Sequence, residues 1–230
     1  MRRLLIHVEG QTEETFVNEL LRGHLSGFGY TRVDARLVGN ARLRHRRGGI
    51  RAWPSVRKEI VAHLTQDRSC IATTMVDYYA LPQLPNTGWP GRAEAASRPY
   101  AQKADTVETA IRSDLGRVMG GAWETRRFIP FVVMHEFEAL LFSDCRAFAR
   151  GIGRADLETA FQSIRDNFCN PEEINDSPLT APSKRVESLI PHYEKPLLGT
   201  LAALEIGLSA IRQACPHFDQ WLTQLEAAAS

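Results

Sequence analysis

The sequence has few cysteines, and their placement argues against a zinc site or a disulfide framework. Its four cysteines are scattered over 230 residues and include no Cys-x-x-Cys pair. A structural zinc site normally needs Cys or His ligands at short spacing, so we expect none. We also expect no signal peptide, and disulfides are rare in reducing compartments. These features predict a cytoplasmic protein with free thiols.

Long apolar runs and an excess of charge of one sign are also lacking. No run approaches the ~20 apolar residues that span a bilayer, so we expect no membrane segment. The 28 Lys and Arg residues nearly balance the 27 Asp and Glu residues, which leaves a formal charge of +1. Any attraction to nucleic acid must therefore come from local patches. The hydrophobic content of 43% is enough for one large or two small domains.

Strand and helix patterns alternate in the first part of the chain. Unbroken apolar runs separated by helical periodicity are typical of a parallel sheet with helices on both faces. Thr12 is a candidate N-cap for the first helix, and residues 80–103 are expected to form a long irregular loop. Pro130 lies inside the fourth strand, which indicates a position near the strand start or a bulge. The predicted strands are 3–8, 31–38, 71–76 and 128–134, and helices are predicted at 54–66 and 104–119.

The alternation stops after residue 134, and the rest of the chain has helical patterns. We expect helices at 156–167 and 183–193, and a long helical stretch over 197–229 that is interrupted at Cys215-Pro216. The sequence therefore predicts an α/β core over residues 1–145 with a sheet of about four strands. A helical C-terminal region over residues 146–230 is expected to pack on it.

Acidic residues follow three of the predicted strands. Glu9 follows the first strand, Asp77 the third, and the segment His135-Glu136-Phe137-Glu138 the fourth. Ligands of open parallel sheets bind beyond the carboxyl ends of the strands. Carboxylates gathered there are suitable ligands for Mg²⁺ or Mn²⁺, which take oxygen ligands and leave positions for a phosphate. We therefore predict a metal site at this edge.

Each of these carboxylates also has a structural interpretation. Glu9 and Asp77 are acceptable turn residues, and Glu13, a further candidate ligand, suits the positive end of a helix dipole. A strand would direct Glu136 and Glu138 to the same side, whereas a helix that begins there would separate them. The sequence predicts that one of the two joins the site and leaves open which.

Two basic segments are candidates for phosphate contacts. The first surrounds Gly48-Gly49, which allow the backbone to follow a phosphate chain, and its cations are Arg42, Arg44, Arg46, Arg47 and Arg51. In the second, Lys184 and Arg185 lie in the first turn of a helix, where phosphate would meet both the helix N-terminus and two cations. A solvated loop and an ordinary charged first turn are the alternatives.

The chain resembles a family in four segments. They are Val8-Glu9-Gly10-Gln11-Thr12-Glu13, Asp77-Tyr78-Tyr79-Ala80-Leu81-Pro82, His135-Glu136-Phe137-Glu138-Ala139-Leu140-Leu141-Phe142-Ser143-Asp144 and Pro182-Ser183-Lys184-Arg185. In this order they resemble the bacterial domain-of-unknown-function family 4276, which is related to the TOPRIM fold of topoisomerases, primases and OLD nucleases. The resemblance implies a TOPRIM core with Mg²⁺-dependent phosphoryl chemistry.

The resemblance also assigns roles to individual residues. Glu9 looks like the glutamate that binds metal or shuttles a proton, and Asp77 looks like the first aspartate of an Asp-x-Asp pair. The second aspartate would stand at residue 79, which is Tyr79, so Glu138, Glu136 and Asp144 are the candidates for the missing carboxylate. If none of them supplies it, the fold has lost catalysis. Relatives of this kind look like components of phage-defence or mobile-element loci that are paired with an ATPase.

Two hypotheses follow. In the first, Glu9, Asp77 and Glu138 hold Mg²⁺ in a nuclease that cuts DNA or RNA, and the basic segments hold the backbone. In the second, the protein is a catalytically inactive binding or regulatory subunit of an ATPase complex, because Tyr79 replaces an acid. Either protein could form a homo-oligomer. Primase-like or topoisomerase-like chemistry is less compatible with so small a chain.

Overall fold

The chain folds as an α/β protein around a parallel sheet. The computed structural model describes residues 2–38, 50–121, 123–175 and 177–229. The strands are β1 (Arg2–Val8), β2 (Tyr30–Leu37), β3 (Cys70–Asp77), β4 (Phe128–Ile129) and β5 (Val132–Val133). The helices are α1 (Gln11–Phe16), α2 (Arg22–Gly27), α3 (Trp53–Gln66), α4 (Arg92–Ala96), α5 (Tyr100–Met119), α6 (Glu138–Leu141), α7 (Cys145–Gly151), α8 (Glu158–Arg165), α9 (Pro182–Leu189), α10 (Thr200–Ala214) and α11 (Pro216–Ala228). The predicted fold class is confirmed.

The order of the strands brings three strand ends together. The sheet runs β2-β1-β3-β4, every pairing is parallel, and β5 continues beside β3 after β4. Val8 at the end of β1 is in register with Met75, and Val76 is in register with Val132 of β5. The carboxyl ends of β1, β3 and β5 therefore lie at the same edge of the sheet.

The fourth predicted strand is divided at its proline. The prediction of one strand over 128–134 is wrong, because Pro130 has no N–H for the ladder and β4 ends before it. A side chain closes the gap. The hydroxyl of Thr74 accepts a hydrogen bond from the N–H of Phe131 at 3.0 Å and lies 2.9 Å from its carbonyl oxygen.

Apolar side chains cover both faces of the sheet, as the unbroken strand patterns predict. On one face, Leu4 and Ile6 of β1 belong to a core that includes residues of α1, α10 and α11. On the other face, Ala72 and Val76 of β3 pack with the apolar sides of α3 and α5. Because α10 and α11 share a core with β1, the helical C-terminal region packs on the sheet. The boundary at residue 145 stays a prediction.

The helix after β1 begins two residues earlier than the sequence suggests. Its N-cap is Gly10, not Thr12, and the carboxylate of Glu13 accepts the Gly10 N–H at 2.9 Å. Glu13 thus closes a capping box. A Cβ atom on Gly10 would lie 3.2 Å from this carboxylate, so glycine allows the close approach.

The remaining differences concern the loops and the C-terminal helices. The loop expected over 80–103 contains α4 and the first turn of α5. The long stretch after residue 194 starts with a π-helical turn, Lys195–Gly199, and α10 bends at Gly207, which has φ of 75°. The break at Cys215-Pro216 separates α10 from α11 as predicted. No helix in the described ranges is long and apolar enough to cross a membrane.

A buried hydrogen bond attaches α11 to the central strand. The indole N–H of Trp221 donates to the hydroxyl of Thr73 at 2.9 Å, and that hydroxyl donates to the carbonyl of Ile129. Thr73 is completely buried. The hydroxyl therefore joins the C-terminal helix, β3 and β4 at one point.

We expect Thr73→Val to lower the free energy of unfolding by about 1–3 kcal/mol, because a buried N–H and a buried carbonyl lose their partner. Urea denaturation of the purified protein measures the change. In a Trp221→Phe background, Thr73→Val should lower the free energy of unfolding by a smaller amount, because the Trp221 N–H that bonds to the hydroxyl is already absent. An unchanged stability of Thr73→Val would contradict the role of this contact.

Candidate acidic site at the strand ends

Five carboxyl groups and one ammonium group gather at the carboxyl edge of the sheet. We call this group the acidic site, and its members are Glu9, Glu13, Asp77, Glu136, Glu138 and Lys195. Glu13, Asp77, Glu136 and Glu138 are each less than 10% exposed. Burial of so many carboxyl groups is costly unless a cation or protons compensate for their charge. The structure thus brings together Glu9, Glu13, Asp77, Glu136 and Glu138, whereas Asp144, the other proposed source of a carboxylate, caps α7 by accepting the N–H of Ala147 at 2.8 Å.

Main-chain hydrogen bonds position Glu9 and Asp77. Asp77 is the last residue of β3, and its Oδ1 accepts the N–H of Phe137 at 2.9 Å, which ties β3 to the segment after β5. Glu9 follows β1, and its Oε2 is 3.4 Å from the Asp77 nitrogen. Among the described residues these bonds leave Glu9 Oε1 and Asp77 Oδ2 without a donor. Each carboxylate keeps one oxygen for a ligand.

Glu138 forms the only direct ion pair within the acidic site as far as the structure describes the chain. It is the first residue of α6, and its Oε2 is 3.1 Å from Lys195 Nζ. Glu138 is 2% exposed, whereas the side chain of Lys195 is 39% exposed. The lysine therefore reaches from the surface to a buried carboxylate.

Burial and mutual repulsion make these acids hard to ionise. Burial and the charge of Glu13 raise the pKa of Glu9 to about 7. Burial raises the pKa of Asp77 well above its usual range, with Glu9 and Glu13 adding to the shift. Burial also raises the pKa of Glu138. Near neutral pH the site thus binds protons or needs a cation in their place.

Lys195 responds in the opposite direction. Burial disfavours its charge, but the neighbouring carboxylates of Glu138, Asp77 and Glu136 outweigh burial and raise the pKa of Lys195. One ammonium charge interacts with all five carboxyl groups. The lysine lowers the excess of negative charge without removing it.

Glu136 has a structural partner of its own. Its Oε2 accepts the N–H of Ser183 at 2.8 Å, at the N-terminus of α9. The helix N-terminus that the sequence suggested for phosphate is thus already bound to a carboxylate. Since α6 begins at Glu138, the two glutamates are separated as a helix requires, yet both remain in the acidic site.

The predicted phosphate contacts are only partly described. Arg42, Arg44, Arg46 and Arg47 lie outside the described residues. Arg51 donates to the Val38 carbonyl at 2.7 Å and pairs with Glu59 at 2.6 Å.

The two cations of α9 also have partners. Lys184 pairs with Glu187 at 2.6 Å, and Arg185 donates to the Thr180 carbonyl at 2.9 Å. A nucleic acid would have to compete with these bonds. The assignment of Arg51, Lys184 and Arg185 to nucleic acid stays a prediction.

Tyr193 carries a buried hydroxyl group beside the acidic site. Tyr193 is 9% exposed, and its hydroxyl has no hydrogen-bond partner among the described residues. Burial, together with the charge of Glu138, raises the pKa of Tyr193. A Cβ atom on Gly199 would lie 3.1 Å from this hydroxyl, so glycine leaves room for it. A ligand bound near Glu138 would supply the missing partner.

The donor set suits a hard divalent cation by its chemistry. Carboxylate oxygens are the preferred protein ligands of Mg²⁺ and Mn²⁺. In the described part of the chain, however, no three His, Cys, Asp or Glu side chains already enclose a metal position. The site therefore suits a divalent cation by its charge and its donor atoms, and the carboxylate side chains must change conformation to complete a coordination shell.

One comparison with known proteins is informative. A family model described as "Domain of unknown function (DUF4276)" matches residues 8–226. The chain belongs to the DUF4276 family. No curated protein and no solved structure gives a significant match. The DUF4276 match includes every member of the acidic site and confirms the family part of the resemblance, whereas the TOPRIM relationship stays a prediction.

Two residues at the acidic site of this DUF4276 protein were not predicted from the sequence, the member Lys195 and its neighbour Tyr193. Lys195 and Tyr193 lie where one predicted helix ends and the next has not begun, and nothing in their local sequence distinguishes them from linker residues. They are 57 and 55 positions from Glu138. Only the packing of the C-terminal region on the sheet reveals their role.

We expect Glu13→Gln to stabilise the metal-free protein at high pH. Burial, with added repulsion from Glu138, raises the pKa of Glu13 to about 7 from 4.5 in the unfolded chain. Ionised Glu13 therefore costs stability progressively as the pH rises from 4.5 to above 7, and Gln keeps an oxygen for the capping box.

Thermal and urea denaturation in chelator should show Glu13→Gln more stable than the parent by about 1–3 kcal/mol at pH 8, with little difference at pH 4.5. Glu14→Gln, in the same helical turn but outside the acidic site, is the matched control. A Glu13→Gln protein that is less stable than the parent at pH 8 would contradict the electrostatic account.

Proposed function

We propose that this protein is a Mg²⁺- or Mn²⁺-dependent nuclease that hydrolyses phosphodiester bonds of DNA or RNA. The observation that carries the proposal is the convergence of Glu9, Asp77 and Glu138 from three strand ends beside Lys195. Metal-dependent phosphoryl transfer needs carboxylates to hold the cation and a positive group to meet the phosphate. The resemblance to TOPRIM proteins supports the same chemistry.

Glu9, Asp77 and Glu138 are the residues that would hold the cation, and Glu13 and Glu136 are further candidate ligands. Asp77 Oδ2 and Glu9 Oε1 are the best placed, because their other oxygens already hold main-chain N–H groups. When bound, the cation would supply Lewis-acid stabilisation of the charge on the phosphate and lower the pKa of water.

The chain supplies the remaining groups. Lys195 holds Glu138 in place at 3.1 Å and presents a positive charge that a phosphate oxygen can meet. By the family resemblance Glu9 would either hold the cation through Oε1 or accept a proton, and these two roles are alternatives. The hydroxyl of Tyr193 is available to donate a hydrogen bond to the substrate.

The proposal includes the nucleic-acid contacts and the partners of the nuclease. A cytoplasmic nuclease of this kind would bind DNA or RNA through the basic segment at Arg42, Arg44, Arg46, Arg47 and Arg51, and through Lys184 and Arg185. By the family resemblance it would act in phage defence with an ATPase partner. It could do so as a homo-oligomer.

The nuclease proposal is tested by incubating the purified protein with single-stranded and duplex DNA and RNA in Mg²⁺ or Mn²⁺. We expect cleavage that chelator abolishes, and a loss of about 100-fold or more in Glu9→Gln, because one charged group of the site is removed without a change of shape. Initial rates on labelled substrates measure the effect.

Glu19→Gln is the matched control, since Glu19 is exposed on the helical segment after α1 and lies outside the acidic site. Its rate should equal that of the parent protein. Cleavage that persists unchanged in Glu9→Gln would mean that another site, or a contaminant, does the chemistry.

Tyr79 favours a second candidate function, a non-catalytic subunit of an ATPase complex. Tyr79 occupies the position where TOPRIM proteins have their second aspartate, and it is 37% exposed. Its N–H donates to the His135 carbonyl at 3.0 Å, which fixes its backbone next to the acidic site. An exposed tyrosine there could contact a partner in place of a metal.

Isothermal titration calorimetry with Mn²⁺ separates the two functions. The nuclease proposal predicts binding to the parent protein, with an affinity at least about 10-fold weaker in Asp77→Asn and unchanged in Glu19→Gln, since only the first removes a candidate ligand. Absence of binding to the parent protein, together with a stable complex with an ATPase, would favour the binding subunit.

A further inference from the structure

Two histidines face each other across the interface between β1 and α3. Nε2 of His7 is 3.4 Å from Nδ1 of His63, and their ring centroids are 5.5 Å apart. His7 is completely buried, and its Nδ1 lies 3.1 Å from the carbonyl oxygen of Thr73. Because a carbonyl only accepts, Nδ1 carries the hydrogen, and Nε2 directs a lone pair toward His63.

A third potential ligand lies one helical turn before His63. Glu59 and His63 are four residues apart on α3 and therefore share a face of the helix. Glu59 Oε1 pairs with Arg51 at 2.6 Å. Glu59 Oε2 is buried and has no hydrogen-bond partner among the described residues. A buried carboxylate oxygen without a donor is costly, and a cation would satisfy it.

We propose that His7, His63 and Glu59 form a second metal site, distinct from the acidic site, that takes Zn²⁺ or a similar transition metal. Two nitrogens bound at about 2.0–2.1 Å to a tetrahedral zinc lie about 3.3–3.4 Å apart, which matches the two imidazoles. Two histidines, one glutamate and a water form a ligand set that zinc uses when one position stays open.

The surroundings of His7 and Glu59 agree with this assignment. A metal-bound histidine usually donates its other N–H to a carbonyl or carboxylate, as His7 does to Thr73. No three side chains in the described residues already enclose a metal. Glu59 must therefore turn Oε2 toward the imidazoles when the metal binds.

The choice of metal follows from the donors. Imidazole nitrogens favour zinc and related metals over Mg²⁺. The register partner of His7 on β2 is Arg36, and Arg51 already pairs with Glu59, so positive charge is present nearby. As far as the chain is described, this position offers only one carboxylate, that of Glu59, whereas a hard cation such as Mg²⁺ prefers several oxygen ligands. The bound metal would tie α3 to the strand that leads to Glu9, and the inference does not depend on the nuclease proposal.

The test is a titration of the chelator-treated protein with Zn²⁺, and with Co²⁺ as a spectroscopic probe, in excess Mg²⁺. Mg²⁺ occupies carboxylates but competes weakly for imidazole. We expect one equivalent of Zn²⁺ per chain and a Co²⁺ visible spectrum typical of tetrahedral coordination. His63→Ala should weaken Zn²⁺ binding by more than about 100-fold, beyond the 10–100-fold that loss of a second-shell contact causes.

His192→Asn is the matched control, because it removes an exposed imidazole and asparagine tolerates the φ of 64° at this position. It should bind Zn²⁺ as the parent protein does. Glu59→Gln should also bind more weakly, by about 10-fold or more. Thermal denaturation without metal verifies that the variants fold.

Three outcomes would overturn the inference. In the first, the parent protein binds no Zn²⁺, and His63 simply donates a hydrogen bond to His7. In the second, His63→Ala binds as tightly as His192→Asn, which means that the zinc is adventitious. In the third, Glu9→Gln abolishes binding while His63→Ala does not, which means that the zinc occupies the acidic site.

Discussion

Repulsion among buried carboxyl groups is the constraint on which the functional edge of this protein depends. Glu9, Asp77 and Glu138 come from three strand ends, and a single ammonium group, that of Lys195, lies among them. A fold selected only for stability would not gather these charges, because each one raises the cost of ionising the others. The arrangement becomes favourable when a divalent cation replaces the protons, which is why we interpret it as a binding site.

The parallel sheet makes this gathering possible. In a parallel sheet, neighbouring strands end at the same edge, so residues that are 68 positions apart, Glu9 and Asp77, meet through one hydrogen bond. Main-chain N–H groups then fix one oxygen of each carboxylate. The segment between α9 and α10 completes the site from outside the sheet, because it carries Lys195 and Tyr193.

Much of this architecture could be predicted from local patterns. Apolar runs gave β1, β2 and β3 to within one residue at each end, and the rule for parallel sheets correctly placed Glu9 and Asp77 at one edge. Two details of the prediction are wrong, and only one of them involves a residue that is distant in the sequence. The N-cap is Gly10 and not Thr12, because the Glu13 carboxylate accepts the N–H of Gly10. Pro130 divides the fourth predicted strand, and the Thr74 hydroxyl, 57 positions from Phe131, bonds to the Phe131 N–H in the gap.

Long-range pairings explain what the sequence could not reveal about the sites. Glu136 binds the N-terminus of α9 from 47 positions away, and Lys195 pairs with Glu138 from 57 positions away. The same holds for His7 and His63, which are 56 positions apart. The sequence has no zinc ligands at short spacing, and its two imidazoles meet only because α3 packs against β1.

The most direct test of the account is the position of a divalent cation in a crystal of the protein grown with Mn²⁺. Anomalous scattering would locate the ion without assumptions about activity. If a divalent cation replaces the protons, we expect a peak within about 2.3 Å of a carboxylate oxygen of both Glu9 and Asp77. A well-ordered acidic site without a peak, or a peak elsewhere, would contradict the account and would leave protons as the partners of the buried acids.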